Sequence, residues 1–570
     1  MCKGFFKSIP IACLALHFCT CLHAAPADNA VSGEIRGVVQ DDHKQAVAGA
    51  SVVVHGIQDN TDHTVLSGSD GAFVLIDLNP GEYQLTANKN GLGSSAAVTV
   101  NVSTGQALSE SVAITSTEST KKGTPNFFER FGRAYTDDWK GTSASSPTPP
   151  FRGYPAPVDG PPFPFSVWPY GGSPVIGQPW TNASPLMEAL WGGSSGPFWK
   201  ESGIQIYGWL NGSANLSSSN KGGYDNAPAA YDNRGNRVEP DQEVLYIERQ
   251  PDTTQTDHFD WGFRLTNLWG SDYRYTTSKG IFSNQLLGKN QEYGYDPVMA
   301  YVDLYWGQVA QGLNVRIGRY ISLPDIEAQL APNNYTFSHS LLYTFDAYTQ
   351  TGINTTWKLS DHWLVQAGIS AGNDVAPWAS GAKPTLNACV SYTWQEGRDN
   401  HYACLNSLNS GRYAYNNVQS VYYTWYHKFR NHPWHTGTES WYMWENAVPN
   451  ALNPNASSLI ETNANGAICN NTTTATCFAN EFAVVNYVER QFGRHNYLTI
   501  RNEYFDDMKG QRTGFRTKYS EHLIGWGHWI GTTILIRPEL RYERSYDVPA
   551  YDNGTKQNQV TLAADAIWFF

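Results

Sequence analysis

The stretch KQNQVTLAADAIWFF, residues 556–570, decides the fold class. Successive side chains of a β-strand point to opposite faces, so this stretch separates into two alternating sets of residues. One set is apolar throughout and becomes aromatic toward residue 570: Val560, Leu562, Ala564, Ala566, Trp568 and Phe570. The other set mixes polar and apolar groups: Thr561, Ala563, Asp565, Ile567 and Phe569. An apolar face that ends in aromatic residues is what a strand facing lipid requires.

The stretch resembles the closing strand of bacterial outer-membrane barrels, which ends on a terminal Phe. That resemblance implies that Trp568 and Phe570 form the signal read by the barrel-assembly machinery. The alternative is an edge strand of a soluble β-sandwich, and the rest of the sequence tests it.

Residues 1–27 have the features of a secretory signal peptide. Lys3 and Lys7 precede an apolar run over residues 9–22, and small residues follow at Ala24 and Ala27. This length and these flanks indicate export with cleavage near Ala24 or Ala27, rather than a membrane anchor. No later run reaches the roughly 18 apolar residues that a membrane-spanning helix needs, so we expect strands to place the chain in a membrane.

The composition suits a barrel that spans a membrane. Aromatic residues make up 14% of the chain and charged residues only 16%, which is low for a soluble protein. The mean hydropathy of -0.44 argues against a helical membrane protein but not against a barrel, in which alternate residues face water. The formal net charge of -12 argues against nucleic acid as a partner.

Residues 31–119 are expected to form a separate all-β domain. Short β-branched or aromatic runs alternate with turn signals such as Asp70-Gly71. The pattern resembles the carboxypeptidase regulatory-like domain on the residues Gly37, Val39, Gly49, Ala50, Asp70, Gly71, Ala72, Phe73, Leu78, Pro80, Gly81, Tyr83, Gln84, Leu85 and Gly91. The resemblance implies a seven-stranded prealbumin-like sandwich, which is an accessory module without catalytic residues.

Residues 120–200 are expected to be a linker that becomes structured. Prolines concentrated over residues 147–164 favour extended polyproline conformation. Five large aromatic residues are too many for a free linker: Trp168, Tyr170, Trp180, Trp191 and Trp199. We therefore expect the segment to pack at the barrel mouth, and whether it plugs the pore stays open. Residues 184–191 are consistent with a short capped helix.

Residues 201–570 are expected to form a transmembrane antiparallel β-barrel of about 16 strands. The alternating segments are 203–213, 241–250, 257–269, 297–306, 312–322, 348–359, 362–373, 384–394, 400–409, 418–429, 434–446, 481–492, 496–507, 514–526, 532–546 and 556–570. An even number is what a single-chain bacterial barrel needs.

The gaps between these segments alternate in length. Seven have six residues or fewer: 251–256, 307–311, 360–361, 395–399, 430–433, 493–495 and 527–531. The eight gaps that alternate with them include five longer than nine residues: 214–240, 270–296, 323–347, 374–383 and 447–480. Long outside loops and short periplasmic turns are typical of outer-membrane barrels, and a soluble sandwich has no reason to produce this asymmetry.

Several runs carry a closer family resemblance. They are DWGFRLTNLWGSDYRYTTSKG at 260–280, GRYISLPDIEAQLAPNNYTFSHSLLYTFDAYTQTGI at 318–353, YTWYHKF at 423–429 and RPELRYERSYDVPAYDNGTKQNQ at 537–559. Over nearly all of residues 160–570 the chain resembles the putative beta-barrel porin-2, OmpL-like family. The resemblance implies an outer-membrane barrel of porin type and carries over no substrate or catalytic residue. The N-terminal sandwich departs from the plain porin pattern.

Charged residues on the polar strand faces and in one loop are the candidate pore-lining residues, because a charge on the lipid face is costly. They are Arg264, Arg316, Asp325, Glu327, Arg501, Glu503, Arg537, Glu539, Arg541 and Glu543. They would form either a transverse field that filters solutes or an ion-pair network that stiffens the wall. The long third loop, 323–347, contains Asp325 and Glu327. By analogy with general porins, we expect it to fold inward and narrow the channel.

Four cysteines remain after the expected signal peptide. An even number in an oxidising compartment favours two disulfides over a metal site. With Glu396-Gly397 as a two-residue turn, Cys389 falls opposite Cys404 on neighbouring strands. Cys469 and Cys477 lie eight residues apart in one loop. We expect the pairs 389–404 and 469–477, and the alternative is free thiols packed in the wall.

Two other groups of residues could carry chemistry. Asp325, His339 and Ser340 contain the residue types of a hydrolase triad, but their spacing does not support one. His427, His432 and His435 could meet around a short turn and bind a metal, although polar tips of interfacial side chains explain them more simply. We therefore expect no catalytic, cofactor-binding or metal-binding residue and no enzymatic activity.

The sequence favours a Gram-negative outer-membrane porin that lets small hydrophilic solutes diffuse through a charged, water-filled barrel, with its sandwich in the periplasm. The expected partners are outer-membrane lipid, the barrel-assembly machinery and those solutes. The sequence leaves open the solute, the ligand of the sandwich and whether the barrel is a homo-oligomer. One alternative is a binding or structural barrel whose sandwich grips the cell wall or a partner. Another is a TonB-dependent-receptor-like transporter, which would need a larger plug and about twenty-two strands.

Overall fold

The structure is a computed structural model of the chain. It describes residues 33–41, 44–58, 61–68, 70–89, 92–103, 107–116, 125–141, 176–177, 184–323, 325–395, 397–430, 432–461, 464–493 and 495–570. The expected signal peptide, residues 1–27, and the proline-rich run at 147–164 lie outside the described residues, as do Trp168, Tyr170 and Trp180. Within the described ranges, no helix is both long and apolar enough to cross a membrane.

The N-terminal part is a sheet of eight strands around an apolar core. The strands are β1 (Gly33–Gln40), β2 (Ser51–Gly56), β3 (Asp62–Leu66), β4 (Ala72–Leu78), β5 (Gly81–Lys89), β6 (Gly93–Ser95), β7 (Val98–Val102) and β8 (Ala107–Ser116). Their order is β3-β2-β5-β6-β8-β1-β4, and β7 pairs with β5. Alternate residues of the strands fill the core, among them Ile35, Val52, Val54, Phe73, Leu85 and Ile114.

The strand count differs by one from the seven that the family resemblance implies. The difference arises at residues 93–102, which divide into two short strands. β6 pairs with β8 and with the end of β5 at Asn88 and Lys89, whereas β7 pairs with residues 81–85 of β5, so the two segments lie against different parts of that strand.

Three helices precede the barrel: α1 (Phe127–Trp139), α2 (Pro185–Trp191) and α3 (Gly196–Ser202). Helix α2 confirms the expected short helix, since the Ser184 hydroxyl accepts a hydrogen bond from the Met187 N–H at 3.2 Å. Helix α1 was not expected within a proline-rich linker. It begins with a capping box, in which Asn126 and Glu129 each accept a hydrogen bond from the other's backbone N–H.

The remainder of the chain is a closed barrel of sixteen antiparallel strands, which confirms the expected number. The strands are β9 (Gln205–Ser217), β10 (Val238–Arg249), β11 (Phe259–Gly270), β12 (Gly294–Trp306), β13 (Leu313–Ile321), β14 (Thr349–Lys358), β15 (Trp363–Asn373), β16 (Thr385–Trp394), β17 (Asp399–Leu408), β18 (Gln419–Lys428), β19 (Trp434–Pro449), β20 (Thr476–Phe492), β21 (Asn496–Asp507), β22 (Thr517–Ile530), β23 (Ile534–Ser545) and β24 (Asn558–Phe569). Strand β24 pairs with both β23 and β9 and thereby closes the ring.

The connections alternate between short and long around the barrel. We call the end with the short connections the turn end and the other the loop end. At the turn end the connections are 250–258, 307–312, 359–362, 395–398, 429–433, 493–495 and 531–533. At the loop end they are 218–237, 271–293, 322–348, 374–384, 409–418, 450–475, 508–516 and 546–557. We call residues 322–348 the third loop.

The two faces of the closing strand differ as expected from its sequence. Leu562 and Trp568 are about half exposed, at 52% and 48%, on the outside of the barrel. Thr561 and Asp565 point inward and are buried. The same alternation runs along β23, where residues 534–542 turn apolar or aromatic side chains outward and charged ones such as Arg541 inward, whereas Arg544 near the loop end is exposed. The outer surface is therefore apolar and the interior polar, as lipid outside requires.

Large aromatic residues are exposed on the outside near both ends of the barrel. The group at the turn end is Trp261, Trp357, Trp363, Trp425, Trp526 and Trp568. The group at the loop end is Trp269, Tyr293, Phe478 and Tyr546. Two such aromatic girdles mark the membrane–water interfaces of an outer-membrane barrel.

Candidate functional site

The inner wall of the barrel carries ion pairs between neighbouring strands. Register explains them, because directly opposite residues have adjacent side chains on the same face of a sheet. Three pairs lie directly opposite one another: Arg264 with Glu248 at 2.6 Å, Arg316 with Asp303 at 2.7 Å, and Arg537 with Asp565 at 2.5 Å. All six side chains are buried. These pairs link strands around the interior.

The third loop folds into the barrel, as expected from its position and length. It contains a single 3₁₀ turn at Ala331–Asn333 and the short helix α4 (Leu341–Thr344), whose N-cap is Ser340. Its described residues are almost all buried, including polar ones such as Gln329 and Ser338. A connection that ran over the surface would expose such groups to water, so the burial places this loop inside the wall.

Contacts on opposite sides of the barrel show that the third loop crosses the interior. The Gln242 side chain on β10 donates to the Gln329 carbonyl oxygen at 2.7 Å and accepts from the Ala331 N–H at 3.0 Å. On β18, the Tyr422 hydroxyl donates to the Asp346 carboxylate. Strands β10 and β18 are eight positions apart in a ring of sixteen, so they stand opposite each other. The loop therefore spans the full width of the lumen.

Two wall arginines hold the carbonyl groups of the third loop. Arg501 on β21 donates to the Ser338 carbonyl oxygen at 2.5 Å, while its other nitrogens bind Glu521 at 2.6 and 3.1 Å. Arg537 on β23 donates to the carbonyl oxygens of Ala331 at 2.9 Å and Asn334 at 2.7 Å. Each guanidinium has several donors in a fixed fork, so one side chain can join a wall carboxylate and the loop at once.

Three wall glutamates hold the N–H groups of the third loop. Glu439 on β19 accepts from the Ile326 N–H at 2.7 Å. Glu539 on β23 accepts from the N–H groups of Phe337 at 3.1 Å and Ser338 at 3.2 Å. Glu503 on β21 accepts from the N–H groups of Leu341, at 2.8 Å, and Leu342, at the start of α4. Carboxylates at the first N–H groups of a helix also interact favourably with its dipole.

All ten candidate pore-lining residues lie inside the barrel, and all are buried. Six of them bind the third loop or belong to it: Asp325, Glu327, Arg501, Glu503, Arg537 and Glu539. Arg264 and Arg316 form wall ion pairs. Arg541 pairs with Glu543 at 3.1 Å and with Asp232 of the first long loop at 3.0 Å. The ion pairs match the network alternative, and a role in filtering solutes stays a prediction.

The structure does not assemble a hydrolase triad in the third loop. The Ser340 hydroxyl donates to Glu327, and His339 Nε2 contacts the Ala328 carbonyl oxygen at 2.8 Å. The His339 ring is stacked on Tyr231, with ring centroids 3.8 Å apart. Burial lowers the pKa of His339 to about 3, although the hydrogen bond to Ala328 opposes this shift. A neutral, stacked imidazole of this kind supports packing of the loop.

The histidines near one short turn make separate contacts. His427 binds the Asp399 carboxylate at 2.6 Å, whereas His435 binds the Tyr335 hydroxyl at 2.7 Å. Among the described residues, the one grouping with metal-ligand spacing is Asp325, Asp346 and Glu439. Asp346 and Glu439 are not among the candidate residues predicted from the sequence. The inward position of Glu439 on an alternating segment is a signal, whereas Asp346 lies in the third loop, and their proximity depends on the fold of that loop.

The two disulfides join the cysteines that the sequence analysis paired. Cys389 and Cys404 are directly opposite on β16 and β17, with sulfur atoms 2.17 Å apart. The second disulfide joins Cys469, in the loop-end connection 450–475, to Cys477, the second residue of β20. β20 begins at Thr476, five residues earlier than expected, because it continues to pair with β19 as far as Pro449. The second disulfide therefore lies at the base of that loop.

Helix α1 is fixed to the turn end of the barrel. The Asp138 carboxylate accepts hydrogen bonds from the Thr532 N–H at 2.9 Å and from the hydroxyls of Thr532 and Thr533 at 2.9 and 2.7 Å. The Tyr135 hydroxyl donates to the Phe569 carbonyl oxygen at 2.8 Å. These contacts bind the helix to the β22–β23 turn and to the end of the closing strand.

Comparisons with known proteins agree with this architecture. The family model for the putative beta-barrel porin-2, OmpL-like proteins matches residues 203–570, and the model for the carboxypeptidase regulatory-like domain matches residues 34–115. A search of the curated proteins finds no match.

Solved porin structures match about two thirds of the chain at low identity. An anion-selective porin from Comamonas acidovorans is 9% identical, with a TM-score of 0.41 and coverage of 64% of this chain and 99% of that chain. The outer-membrane channel DcaP of Acinetobacter baumannii is 12% identical, with a TM-score of 0.40 and coverage of 64% and 97%. OprB of Pseudomonas putida is 13% identical, with a TM-score of 0.39 and coverage of 67% and 98%.

The family model spans well over half of the 570 residues, from the first barrel strand to the last. The sixteen-stranded barrel, its apolar exterior and its inward third loop are the features of a porin-type outer-membrane channel. The chain therefore belongs to the putative beta-barrel porin-2, OmpL-like family.

Proposed function

We propose that this protein is a porin that lets small hydrophilic solutes diffuse across the outer membrane, with the third loop setting the size of what passes. The observation that carries this proposal is a closed sixteen-stranded barrel with a polar interior that one loop crosses. About eight strands are filled by their own side chains, whereas sixteen leave room for a channel. The loop occupies part of that room, so it is the natural constriction.

The wall charges support a positioning role more than a free electrostatic field. Arg501 and Arg537 each bind a wall carboxylate and the backbone of the third loop. A charge that is neutralised by a buried partner contributes little field to water beside it. We infer that these groups define the shape of the passage by fixing the loop, and that solutes pass between the loop and the wall or when the loop moves.

The proposal extends to the placement of the N-terminal domain. Helix α1 binds the turn end, which faces the periplasm in outer-membrane barrels. We propose that residues 31–119 form a periplasmic accessory domain, that residues 120–200 connect it to the barrel, and that the barrel occupies residues 201–570. Protease added outside intact cells should cleave neither α1 nor the sandwich.

A liposome-swelling assay tests passive diffusion. We expect vesicles that contain the folded protein to swell in small sugars and to swell less as the sugar becomes larger. If vesicles that contain the protein swell no faster than protein-free vesicles in any of the sugars, the proposal is contradicted. A protein that folds into vesicles but passes no solute would favour the second candidate, a binding or structural barrel. The burial of the third loop against the wall is the observation that supports a binding or structural barrel.

A further inference from the structure

Three carboxylates meet inside the barrel where the third loop reaches the wall. Asp325 and Asp346 come from the two ends of the loop, and Glu439 comes from strand β19. One oxygen atom of each lies within 4.8 Å of one oxygen of each other residue. The three side chains are 4%, 1% and 0% exposed. Folding the loop thus brings together groups that are far apart along the chain.

Each of these carboxylates uses one oxygen in the protein and leaves the other without a partner. Asp325 Oδ2 accepts from the Ser322 hydroxyl at 3.4 Å, Asp346 Oδ1 accepts from the Tyr422 hydroxyl, and Glu439 Oε2 accepts from the Ile326 N–H at 2.7 Å. Asp325 Oδ1, Asp346 Oδ2 and Glu439 Oε1 are buried and have no hydrogen-bond partner. Burying an oxygen of a carboxylate without a partner costs free energy unless something binds it.

No basic side chain of the described residues forms an ion pair with any of the three. This distinguishes them from Asp303, Glu521 and Asp565 on the wall, each of which pairs with an arginine. The nearby Arg512 donates instead to the Phe345 carbonyl oxygen at 2.6 Å. The group therefore brings up to three negative charges together, and each carboxylate has a buried oxygen that no donor group in the described part of the chain reaches.

We infer that Asp325, Asp346 and Glu439 bind a calcium ion that ties the third loop to the barrel wall. Calcium takes oxygen ligands at roughly 2.3–2.6 Å, so two oxygens on opposite sides of the ion are separated by about twice that distance. Oxygens that lie within 4.8 Å of one another can reach a single ion at these ligand distances. Mg²⁺ demands near-ideal octahedral geometry and keeps several waters, so it suits three carboxylates held by a packed loop less well than Ca²⁺ does. Two ligands belong to the loop and one to the wall, so the ion joins both ends of the loop to β19.

Calcium binding depends on the packed third loop and not on conduction. A failure to bind calcium would therefore leave the proposed porin function untouched, and a failure to conduct would leave the calcium site untouched. Protonation of the carboxylates is the competing explanation, because a shared proton also relieves repulsion between buried acids. Calcium binding separates the two explanations, since protons compete with the ion and a cluster that holds its protons at neutral pH binds Ca²⁺ only weakly.

The test measures binding of Ca²⁺ alone to the purified, chelator-treated full chain in detergent, by calorimetry and by metal analysis after dialysis. Tb³⁺ luminescence excited through tyrosine gives a second readout, because Tyr422 contacts Asp346. We expect one high-affinity Ca²⁺ per chain in the wild type. Glu439→Gln and Asp346→Asn each remove a charged ligand, and we expect affinity to fall about tenfold or more in either variant.

The matched control is Glu489→Gln on β20. Glu489 is also buried and neither of its carboxylate oxygens has a hydrogen-bond partner, but it lies outside the group. We expect this variant to bind Ca²⁺ as the wild type does. Folding of each variant is checked by heat-modifiable migration on a gel. Absence of a stoichiometric site in the wild type would overturn the inference. So would equal affinity in folded Glu439→Gln or Asp346→Asn.

Discussion

The Arg501 guanidinium donates a hydrogen bond to the carbonyl oxygen of Ser338 at 2.5 Å. The two residues are 163 positions apart along the chain, and the bond joins the inner wall of the barrel to a loop in the middle of its lumen. Arg501 also binds Glu521 on the next strand at 2.6 Å. One side chain thus stabilises both the wall and the position of the loop.

Replacing Arg501 by Met should loosen the third loop. It leaves the Glu521 carboxylate and the Ser338 carbonyl without their partner, and breaking such a buried pair typically costs about 3–5 kcal/mol. We expect faster hydrogen exchange at the amides of residues 336–342. Arg319→Met is the control, because Arg319 binds Asp296 and the Pro297 and Thr276 carbonyl oxygens rather than the loop. Equal exchange of the loop in both variants would contradict this role for Arg501.

Helix α1 should detach from the barrel when an alanine replaces Gly531. An added Cβ at this position would meet Asp138 Oδ2 at 2.0 Å, and Gly531 also has a φ of +60°. Gly493→Ala is the matched control: its φ is +63°, and nothing lies within 4 Å of the added Cβ. Both variants suffer the same backbone strain, of roughly 1–2 kcal/mol.

We expect Gly531→Ala, but not Gly493→Ala, to raise hydrogen exchange along Phe127–Trp139. Asp138→Ala should have the same effect on the helix without any change at the turn glycine, since it removes the acceptor of the Thr532 and Thr533 hydrogen bonds. Unchanged protection of the helix in both Gly531→Ala and Asp138→Ala would show that these contacts do not hold it.

The disulfides should appear as two separate linkages in non-reducing peptide mapping, 389 to 404 and 469 to 477. They close loops of 15 and 8 residues, which on the chain-entropy model corresponds to a stabilisation of about 2–3 kcal/mol each. Cys469→Ser with Cys477→Ser should therefore lower the unfolding temperature while leaving the 389–404 linkage intact. A crossed linkage would contradict the strand register at β16 and β17.

Acid should weaken packing of the third loop through His339. The unfolded imidazole takes up a proton below a pH of about 6.5, whereas the packed one, with its pKa lowered to about 3, stays neutral. Its contribution to the free energy of unfolding is therefore present above pH 6.5 and falls as the pH decreases toward 3. Between pH 7 and pH 5 the loss is about 2 kcal/mol.

His339→Phe keeps a ring between Tyr231 and Tyr343 but cannot titrate. The difference in free energy of unfolding between wild type and this variant should shift by about 2 kcal/mol against the wild type from pH 7 to pH 5. Comparing the two proteins cancels the titration of carboxylates that both contain. A difference that does not change with pH would contradict the buried, neutral state of His339.

The barrel could be predicted from the sequence because its signals are local. Thr561 and Leu562 already indicate by their polarity that one faces the interior and the other faces lipid, and the alternation along β24 extends this to its neighbours. The pairing of Cys389 with Cys404 followed from one two-residue turn, and Gly397 in that turn has the φ of +82° that favours glycine. Strand ends shifted by a few residues where pairing extended into a loop.

The contacts of the third loop could not be predicted in the same way. Alternation indicates that Arg501 and Glu439 point inward, but their partners depend on the path of a loop that lies far away along the chain. Helix α1 was missed because it was grouped with the proline-rich run at 147–164 that follows it, although its capping box of Asn126 and Glu129 was a local signal. The sequence therefore predicts the wall in detail and the contents of the lumen only in outline.

Conductance in a planar bilayer tests most directly the claim that the barrel is a channel narrowed by its third loop. Ile321 and Thr349 are directly opposite on β13 and β14, so a short Gly-Ser-Gly turn can replace residues 322–348 without disturbing the wall. We predict small, steady currents from the wild type and currents several-fold larger from the shortened variant, once heat-modifiable migration has shown that both are folded. Equal conductance in the two proteins, or no conductance in either, would contradict the account.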